Sequence, residues 1–197
     1  MKFTQSCPLI LASGSPRRKE YFERYGFDFE ILKADIPEEP KPNEKPEAFA
    51  LRLAREKGAA VREKCAHDFN GLIISADTIV VLGDEIIGKP RGKDDVLPML
   101  QKLAGQTHQV ITAYAILGNG VDVVKAVTTN VEFYPAMLPL LLAYSKTIEP
   151  LDKAGSYSIQ GVGSFMVKSI EGSYNNVVGL PIEHLLQDLS KFKAISI

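Results

Sequence analysis

Asp77 and Thr78 interrupt the most hydrophobic stretch of the chain, which runs from Leu72 to Leu82. A carboxylate and a hydroxyl inside such a stretch are costly to bury unless they have partners. Polar residues that break a buried strand often mark the point where a sheet edge faces a ligand. The alternative is a structural aspartate bonded to backbone amides; the broken pattern favours the functional interpretation.

The segment from Ser13 to Arg18 has the residues that begin a helix, with Ser15 at the N-cap and Pro16 in the first turn. Backbone N–H groups at a helix N-terminus bind anions, and arginines add donors suited to phosphate oxygens. The segment is neither a Walker A loop nor a GxGxxG fingerprint. By itself it is explained equally well as a capped surface helix with solvated arginines.

Lys57 lies on the apolar face of a predicted helix, because Ala50, Leu53, Ala54 and Val61 share that face at helical spacing. A lysine stem often crosses apolar surface so that its ammonium reaches solvent, and this is the simpler explanation for Lys57 taken alone. The alternative is an ammonium directed into a pocket that holds an anion.

Two later segments add further polar groups. Lys89 stands in the turn Gly88–Arg91, which is either an ordinary exposed basic turn or a second source of cations for the same anion. Residues Glu149 to Gly161 place acids, a lysine and Gln160 between glycines, which is typical of a binding loop. The Gln160 amide can both donate to and accept from the edge of a base. This inventory of cations, carboxylates and an amide favours phosphoryl chemistry on a metal-bound polyphosphate over acyl transfer or zinc hydrolysis.

Strands and helices alternate along the chain and must position these side chains. Strands are predicted near residues 7–12, 27–32, 72–82, 85–87, 108–117, 121–133 and 165–170. Helices are predicted near residues 15–25, 46–64, 94–103, 135–145 and 181–192. This mixture predicts an α/β fold with a mixed sheet.

Bulk properties narrow the class of protein. The 197 residues predict a single domain over 1–197, built as one body or as two tightly joined lobes. A net charge of −1 argues against a nucleic-acid or membrane-surface partner. Cys7 and Cys65 have neither metal-ligand spacing nor the pattern of a disulfide framework. We therefore expect a soluble, cytoplasmic protein with reduced thiols.

The motifs together resemble those of Maf proteins, once described as septum-formation inhibitors. LASGSPRR, ADTIV, GKP, GQTHQVITA, EPLDKAGSYSIQG and NVVGLP occur in the family's order, from about Leu9 to Leu186. The resemblance implies an elongated mixed-sheet α/β fold like that of inosine triphosphatases, with two lobes and a central cleft. It also implies a nucleoside triphosphate pyrophosphatase that uses a divalent metal, Mg²⁺ or Mn²⁺.

Carried over residue by residue, the resemblance implies a role for each motif. Asp77 matches the family's catalytic aspartate, which implies that it accepts a proton from water. Glu38 matches an acid that supports catalysis or metal binding. Both residues are also implied metal ligands. The implied triphosphate ligands are Ser13, Arg17, Arg18, Lys57 and Lys89, of which Lys57 and Lys89 are also implied to take part in catalysis. Arg17, Thr78 and Gln160 match the positions that distinguish the subgroup acting on dTTP and UTP.

Some alternatives stay open at this point. The acid site reads Ile36-Pro37-Glu38-Glu39, which leaves the register open between the two glutamates, and Ser158 stands where the family usually has glycine. One rival function is a house-cleaning pyrophosphatase for other non-canonical nucleotides, such as inosine or xanthosine triphosphate. A second is a non-catalytic nucleotide-binding regulator of cell division. A nucleoside triphosphate is the expected small-molecule partner, and a homodimer is left open.

Overall fold

The computed structural model describes residues 3–196 of the chain. Its strands are β1 (Thr4–Gln5), β2 (Leu9–Leu11), β3 (Phe29–Ile31), β4 (Leu72–Leu82), β5 (Glu85–Ile87), β6 (Thr107–Gly118), β7 (Val121–Phe133), β8 (Val167–Glu171) and β9 (Ile195–Ser196). Its α-helices are α1 (Pro16–Arg24), α2 (Pro46–Arg62), α3 (Lys93–Leu103), α4 (Leu138–Ser145), α5 (Tyr174–Val178) and α6 (Ile182–Lys191). Short 3₁₀ helices cover Glu149–Asp152, Ala154–Ser156 and Val162–Met166.

Most of the strands belong to one sheet with the order β3-β2-β4-β6-β7-β8, and β5 pairs with β4. Strand β2 runs parallel to both β3 and β4, whereas β5 is antiparallel to β4 and β8 is antiparallel to β7. The sheet is therefore mixed, which confirms the predicted α/β class. Strands β1 and β9 form a separate antiparallel pair.

The chain divides into two compact units. Unit 1 contains the described residues up to Asp77, residues Thr112–Ala126, and the described residues from Gly179 onward. Unit 2 contains Thr78–Ile111 and Val127–Val178. Strand β4 passes from unit 1 to unit 2 after Asp77. A single domain over the whole chain stays a prediction.

In unit 1, helix α2 packs closely against strand β4. The Ser75 hydroxyl, fully buried, donates to the Ala54 carbonyl oxygen at 2.6 Å. A Cβ on Gly58 would lie 2.8 Å from the Ser75 Oγ, so the absence of a side chain at residue 58 permits this close approach. Val61, one turn further along α2, packs with Ile73 of β4. These contacts fix the register of the helix on the strand.

In unit 2, a larger core forms around helix α3. Its buried members are Val80, Ile87, Val96, Leu100, Leu103, Val110, Val131, Phe133, Leu141, Tyr144, Tyr157 and Met166. His108 packs edge-on against Phe133 and Tyr157, and its Nε2 lies 2.8 Å from the Tyr157 hydroxyl. Burial lowers the pKa of His108 to about 4, so the ring is neutral at physiological pH.

The predicted elements are present, with shifts at some of their ends. Helix α4 begins at Leu138 rather than near residue 135. The strand predicted over 165–170 begins at Val167, because residues Val162–Met166 form a 3₁₀ helix. Among residues 3–196, none of the helices combines the length and the apolar character that crossing a membrane requires.

Candidate active site

The turn between β2 and α1 is organised by the Ser13 hydroxyl. Ser13 is 7 % exposed, and its Oγ accepts hydrogen bonds from the Ser15 N–H at 3.2 Å and from Arg18 Nη1 at 3.1 Å. Ser15 occupies the N-cap position of α1, but its side chain makes no capping bond. The hydroxyl that shapes this helix start is therefore that of Ser13.

Arg18 ties three of the sequence motifs together within unit 1. Its Nε donates to the Gly179 carbonyl oxygen at 2.8 Å, and its Nη1 donates to the Ala76 carbonyl oxygen at 2.9 Å as well as to Ser13. Burial lowers the pKa of the Arg18 guanidinium to about 10, against the opposing effect of the Asp77 carboxylate. Arg18 thus stays charged at neutral pH and holds the backbone immediately before Asp77.

Lys57 lies between two carboxylates. Its Nζ is 2.6 Å from Asp77 Oδ1 and 2.7 Å from Glu38 Oε1. The side chains of Lys57 and Asp77 are only 12 % and 8 % exposed, whereas that of Glu38 is 41 % exposed. The lysine that breaks the apolar face of α2 therefore meets the aspartate that breaks the apolar run of β4. In unit 1, the interpretation of Lys57 as a stem reaching past the core to solvent is wrong.

The packing of α2 on β4 explains this meeting. Gly58 and Ser75 set the register of the helix on the strand, and each is next to or near one of the two charged residues in sequence. Glu38 comes from the loop after β3, and of the two adjacent glutamates it is Glu38 whose carboxylate binds Lys57. Arg52 of α2 holds the same loop, since its Nη2 donates to the Glu39 carbonyl oxygen at 3.0 Å.

This arrangement is suited to general-base chemistry near an anion. The two carboxylates offer oxygens that can accept a proton or bind a cation, and the ammonium compensates their charge. Arg17 also lies close enough to Arg18 for their charges to repel. Unit 1 thereby brings together Ser13, Arg17, Arg18, Glu38, Lys57 and Asp77, six of the nine residues that the sequence singles out.

The other three residues, Thr78, Lys89 and Gln160, belong to unit 2. Thr78 is half-buried, whereas Lys89 and Gln160 are exposed. The loop that carries Gln160 is joined to the loop that carries Lys89, because the Gly155 N–H donates to the Gly88 carbonyl oxygen at 3.1 Å. The structure thus brings the GKP and EPLDKAGSYSIQG motifs together within unit 2.

Glu149 is a residue whose role sequence reasoning misses. The sequence groups it with the acids of a binding loop, but its Oε1 accepts hydrogen bonds from the Tyr144 hydroxyl and the Gly163 N–H, and its Oε2 accepts one from the Val162 N–H. Gly161 lies so close that a Cβ there would be 2.3 Å from Glu149 Oε2. The spacing of Gly161 and Gly163 is the signal that could have indicated this role, since glycines permit such an approach.

The donor set fits a divalent cation bound in the manner of Mg²⁺. Within residues 3–196 there is no group of three or more His, Cys, Asp or Glu side chains placed to hold a metal ion. Mg²⁺ often binds through one or two carboxylates plus substrate phosphates and water, and Glu38 and Asp77 provide two carboxylates on one ammonium. The pair therefore fits a metal that arrives with a polyphosphate.

Comparison with known proteins identifies relatives across nearly the whole chain. The family model described as "Maf-like protein" matches residues 8–192. A dTTP/UTP pyrophosphatase of Desulfotalea psychrophila is 46 % identical over 192 residues, which cover 96 % of this chain and 97 % of that protein. A dTTP/UTP pyrophosphatase of Escherichia coli is 43 % identical over 187 residues, which cover 95 % of this chain and 94 % of that protein.

A solved structure shares the fold. The Ham1 protein of Staphylococcus aureus superposes with a TM-score of 0.50 over 94 % of this chain and 99 % of its own. Its sequence is 14 % identical, so this likeness concerns the fold alone.

Proposed function

Because the chain belongs to the family of Maf-like proteins, we propose that it is a nucleoside triphosphate pyrophosphatase that hydrolyses dTTP and UTP. The products are the nucleoside monophosphate and pyrophosphate. The observation that carries this function is the contact of Lys57 with both Asp77 and Glu38, which places a potential base, a second acid and a cation at one point. The names of relatives more than 40 % identical over nearly their full length support the same reaction.

In the proposed reaction, Asp77 accepts a proton from a water molecule as the water oxygen attacks the α-phosphorus. The bond from the water oxygen to the α-phosphorus forms, the bond between the α-phosphorus and the bridging oxygen breaks, and pyrophosphate leaves. Arg18 keeps Asp77 in place through the Ala76 carbonyl, and the Lys57 ammonium stabilises negative charge beside it. Ser13 and Arg17, at the start of α1, bind phosphate oxygens together with Arg18.

We propose that Glu38 and Asp77 hold a divalent metal, Mg²⁺ or Mn²⁺, when the triphosphate is bound. Such a metal neutralises charge on the phosphates and on the pyrophosphate that leaves. The Lys57 ammonium also neutralises charge on the phosphates, because it can turn from the carboxylates to a phosphate oxygen.

In unit 2, we propose that Lys89 binds the triphosphate and that Thr78 and Gln160 select the pyrimidine base. The exposure of Gln160 and its place in a loop that Glu149 holds at the Val162 and Gly163 N–H groups support a role in reading a ligand. Arg17 of unit 1 is the third proposed specificity residue. We also propose that the protein acts in the cytoplasm.

Replacing Asp77 with asparagine tests the assignment of the base. Asp77→Asn is nearly isosteric but cannot accept the proton, so turnover of dTTP is expected to fall roughly 10²–10⁴-fold, while nucleotide binding measured without metal is largely kept. The measurement is pyrophosphate release from dTTP and UTP with Mg²⁺ or Mn²⁺, together with nucleotide binding by calorimetry. Asp84→Asn, in the exposed turn before β5, is the matched control and should keep wild-type turnover.

Two results would contradict the proposal. Turnover of Asp77→Asn within about threefold of wild type would remove Asp77 from the role of base. A wild-type protein that releases single phosphates, or that prefers purine triphosphates in the same panel, would overturn the reaction class or the substrate class respectively.

A further inference from the structure

The loop that carries Gln160 is hydrogen-bonded to Glu149 after that residue and lies against Tyr144 before it. On the C-terminal side, the Glu149 carboxylate accepts the Val162 N–H and the Gly163 N–H, each at 3.0 Å. On the N-terminal side, the Ser158 N–H faces the Tyr144 hydroxyl, and both groups lie within 3.1 Å of the point where a Cβ on Gly163 would stand. Gln160 itself is exposed, so the backbone around it is fixed while its amide faces outward.

The contacts on the two sides of Gln160 are joined through the side chains of Tyr144 and Glu149. The Tyr144 hydroxyl donates to Glu149 Oε1 at 2.9 Å, the same oxygen that accepts from Gly163. Tyr144 belongs to helix α4 and is 2 % exposed, so the ring that carries this hydroxyl is anchored in the core of unit 2. A carboxylate that accepts two backbone amides and one hydroxyl has little freedom to turn.

The surrounding chain is shaped to let these groups approach. A Cβ on Gly163 would lie 2.6 Å from the Tyr144 hydroxyl, and one on Gly161 would overlap the Glu149 carboxylate. Burial would raise the pKa of the Glu149 carboxyl, but its hydrogen bonds outweigh burial and hold the pKa below the usual value. Glu149 is therefore ionised at neutral pH and fully able to accept these bonds. Ser158 faces this assembly with its backbone N–H, which glycine would also supply.

We propose that Glu149 and Tyr144 are positioning residues for base selection, acting through Gln160. The inference rests on the proposed function, in which the Gln160 amide reads the pyrimidine. Neither residue needs to touch the nucleotide. Their effect is to keep the Gln160 backbone in one conformation before the substrate arrives, so that little ordering of the loop accompanies binding.

The test is a set of substitutions scored by base selectivity. Glu149→Gln keeps the shape, but its amide nitrogen turns a donor toward a backbone N–H, and Tyr144→Phe removes the hydroxyl without changing the ring. For each variant, the selectivity of dTTP over dCTP, taken as the ratio of their kcat/KM values, is expected to fall about tenfold. The loss should come from a higher KM for dTTP, with kcat within about threefold of wild type.

Matched controls separate an effect on the position of the Gln160 loop from a general loss of stability in unit 2. Glu85→Gln makes the same chemical change in an exposed ion pair with Lys102 in unit 2 and should leave selectivity unchanged. Thr129→Val removes a buried hydroxyl that bonds Asn176 and Ser173, so it weakens unit 2 away from the Gln160 loop. A drop in selectivity in Thr129→Val as large as in Glu149→Gln would mean that any loss of stability has this effect, and would overturn the proposal.

The decisive comparison uses a Gln160→Ala background. If Glu149 acts through Gln160, Glu149→Gln lowers selectivity in the wild-type protein but adds nothing further in Gln160→Ala. Equal losses in both backgrounds would show that Glu149 acts by another route.

If Gln160→Ala hydrolyses dTTP with unaltered selectivity, the role of Gln160 fails and this inference fails with it. If the wild-type protein releases no pyrophosphate from dTTP, the proposed function itself has failed. Should Glu149→Gln not fold, Tyr144→Phe in the same two backgrounds decides the same question.

Discussion

Replacing Lys57 with methionine measures how much its positive charge, which lies between the Glu38 and Asp77 carboxylates, contributes to the free energy of unfolding. Methionine keeps an unbranched stem of similar length inside the apolar face of α2 but removes the ammonium. Removing one partner of a buried ion pair typically costs roughly 3–5 kcal/mol, because the remaining charge is left uncompensated. Glu38 is 41 % exposed, and the Arg18 guanidinium also attracts Asp77, so we expect the lower end, about 3 kcal/mol.

A second substitution isolates the charge from the packing. In the double variant Lys57→Met/Asp77→Asn, the buried carboxylate that lost its partner is gone as well. The double variant should therefore be more stable than Lys57→Met alone by about 1–2 kcal/mol, although it carries one more substitution. Lys57→Met/Glu38→Gln should recover less, because the exposed Glu38 carboxylate is better solvated.

Urea-induced unfolding, followed by circular dichroism, gives the free energies if the denaturant slopes of the variants agree. The reasoning is refuted if the losses of Lys57→Met and Asp77→Asn simply add in the double variant. In that case Lys57 would stabilise unit 1 through its stem alone, and its ion pairs with the two acids would contribute nothing to the free energy of unfolding.

Two further predictions concern Arg18 and His108. Arg18→Lys should lower the free energy of unfolding by about 2 kcal/mol, because an ammonium cannot bond the Ala76 and Gly179 carbonyl oxygens at once as the planar guanidinium does. Thermal denaturation measures this loss, and an unchanged Tm would contradict the prediction. Burial lowers the pKa of His108 from 6.5 to about 4, so the folded state binds a proton on this ring less readily than the unfolded state does. The contribution of the neutral ring to the free energy of unfolding is therefore complete above pH 6.5 and falls by up to about 3 kcal/mol as the pH approaches 4. His108→Gln should flatten this slope in urea titrations across that range, whereas His67→Gln, at an exposed position, should keep it.

The periodicity of the chain predicts most of the sheet and the helices that connect it. It also places Lys57 on the apolar face of α2, together with four apolar neighbours, although it does not predict where the ammonium lies. Periodicity does not predict the contact of Lys57 with Asp77. It depends on how far along β4 the helix is seated, which Gly58 and Ser75 determine by close packing. Sequence spacing identifies the face of a helix, whereas its position along a strand comes from tertiary packing.

Other features escape prediction for a different physical reason. Strands β1 and β9 are two residues long each, too short to show an alternating pattern. The bonds of Arg18 to backbone carbonyls depend on segments that are distant in sequence, and carbonyl groups are the same for every residue. The sequence therefore predicts only phosphate binding for Arg18, although much of its hydrogen-bonding capacity in unit 1 serves the protein itself.

The divalent metal proposed above would balance the charges of unit 1 against those of a bound triphosphate. Arg17, Arg18 and Lys57 are cations, and Glu38 and Asp77 are acids, so the group has only a small positive excess. A triphosphate carries several negative charges, more than this excess can neutralise, and a divalent cation would supply the difference. If the phosphates drew the Lys57 ammonium toward themselves, the two carboxylates would be released to hold that cation. The same lysine that stabilises the acids in the free protein would thereby link metal binding to substrate binding, and by reciprocity each would strengthen the other.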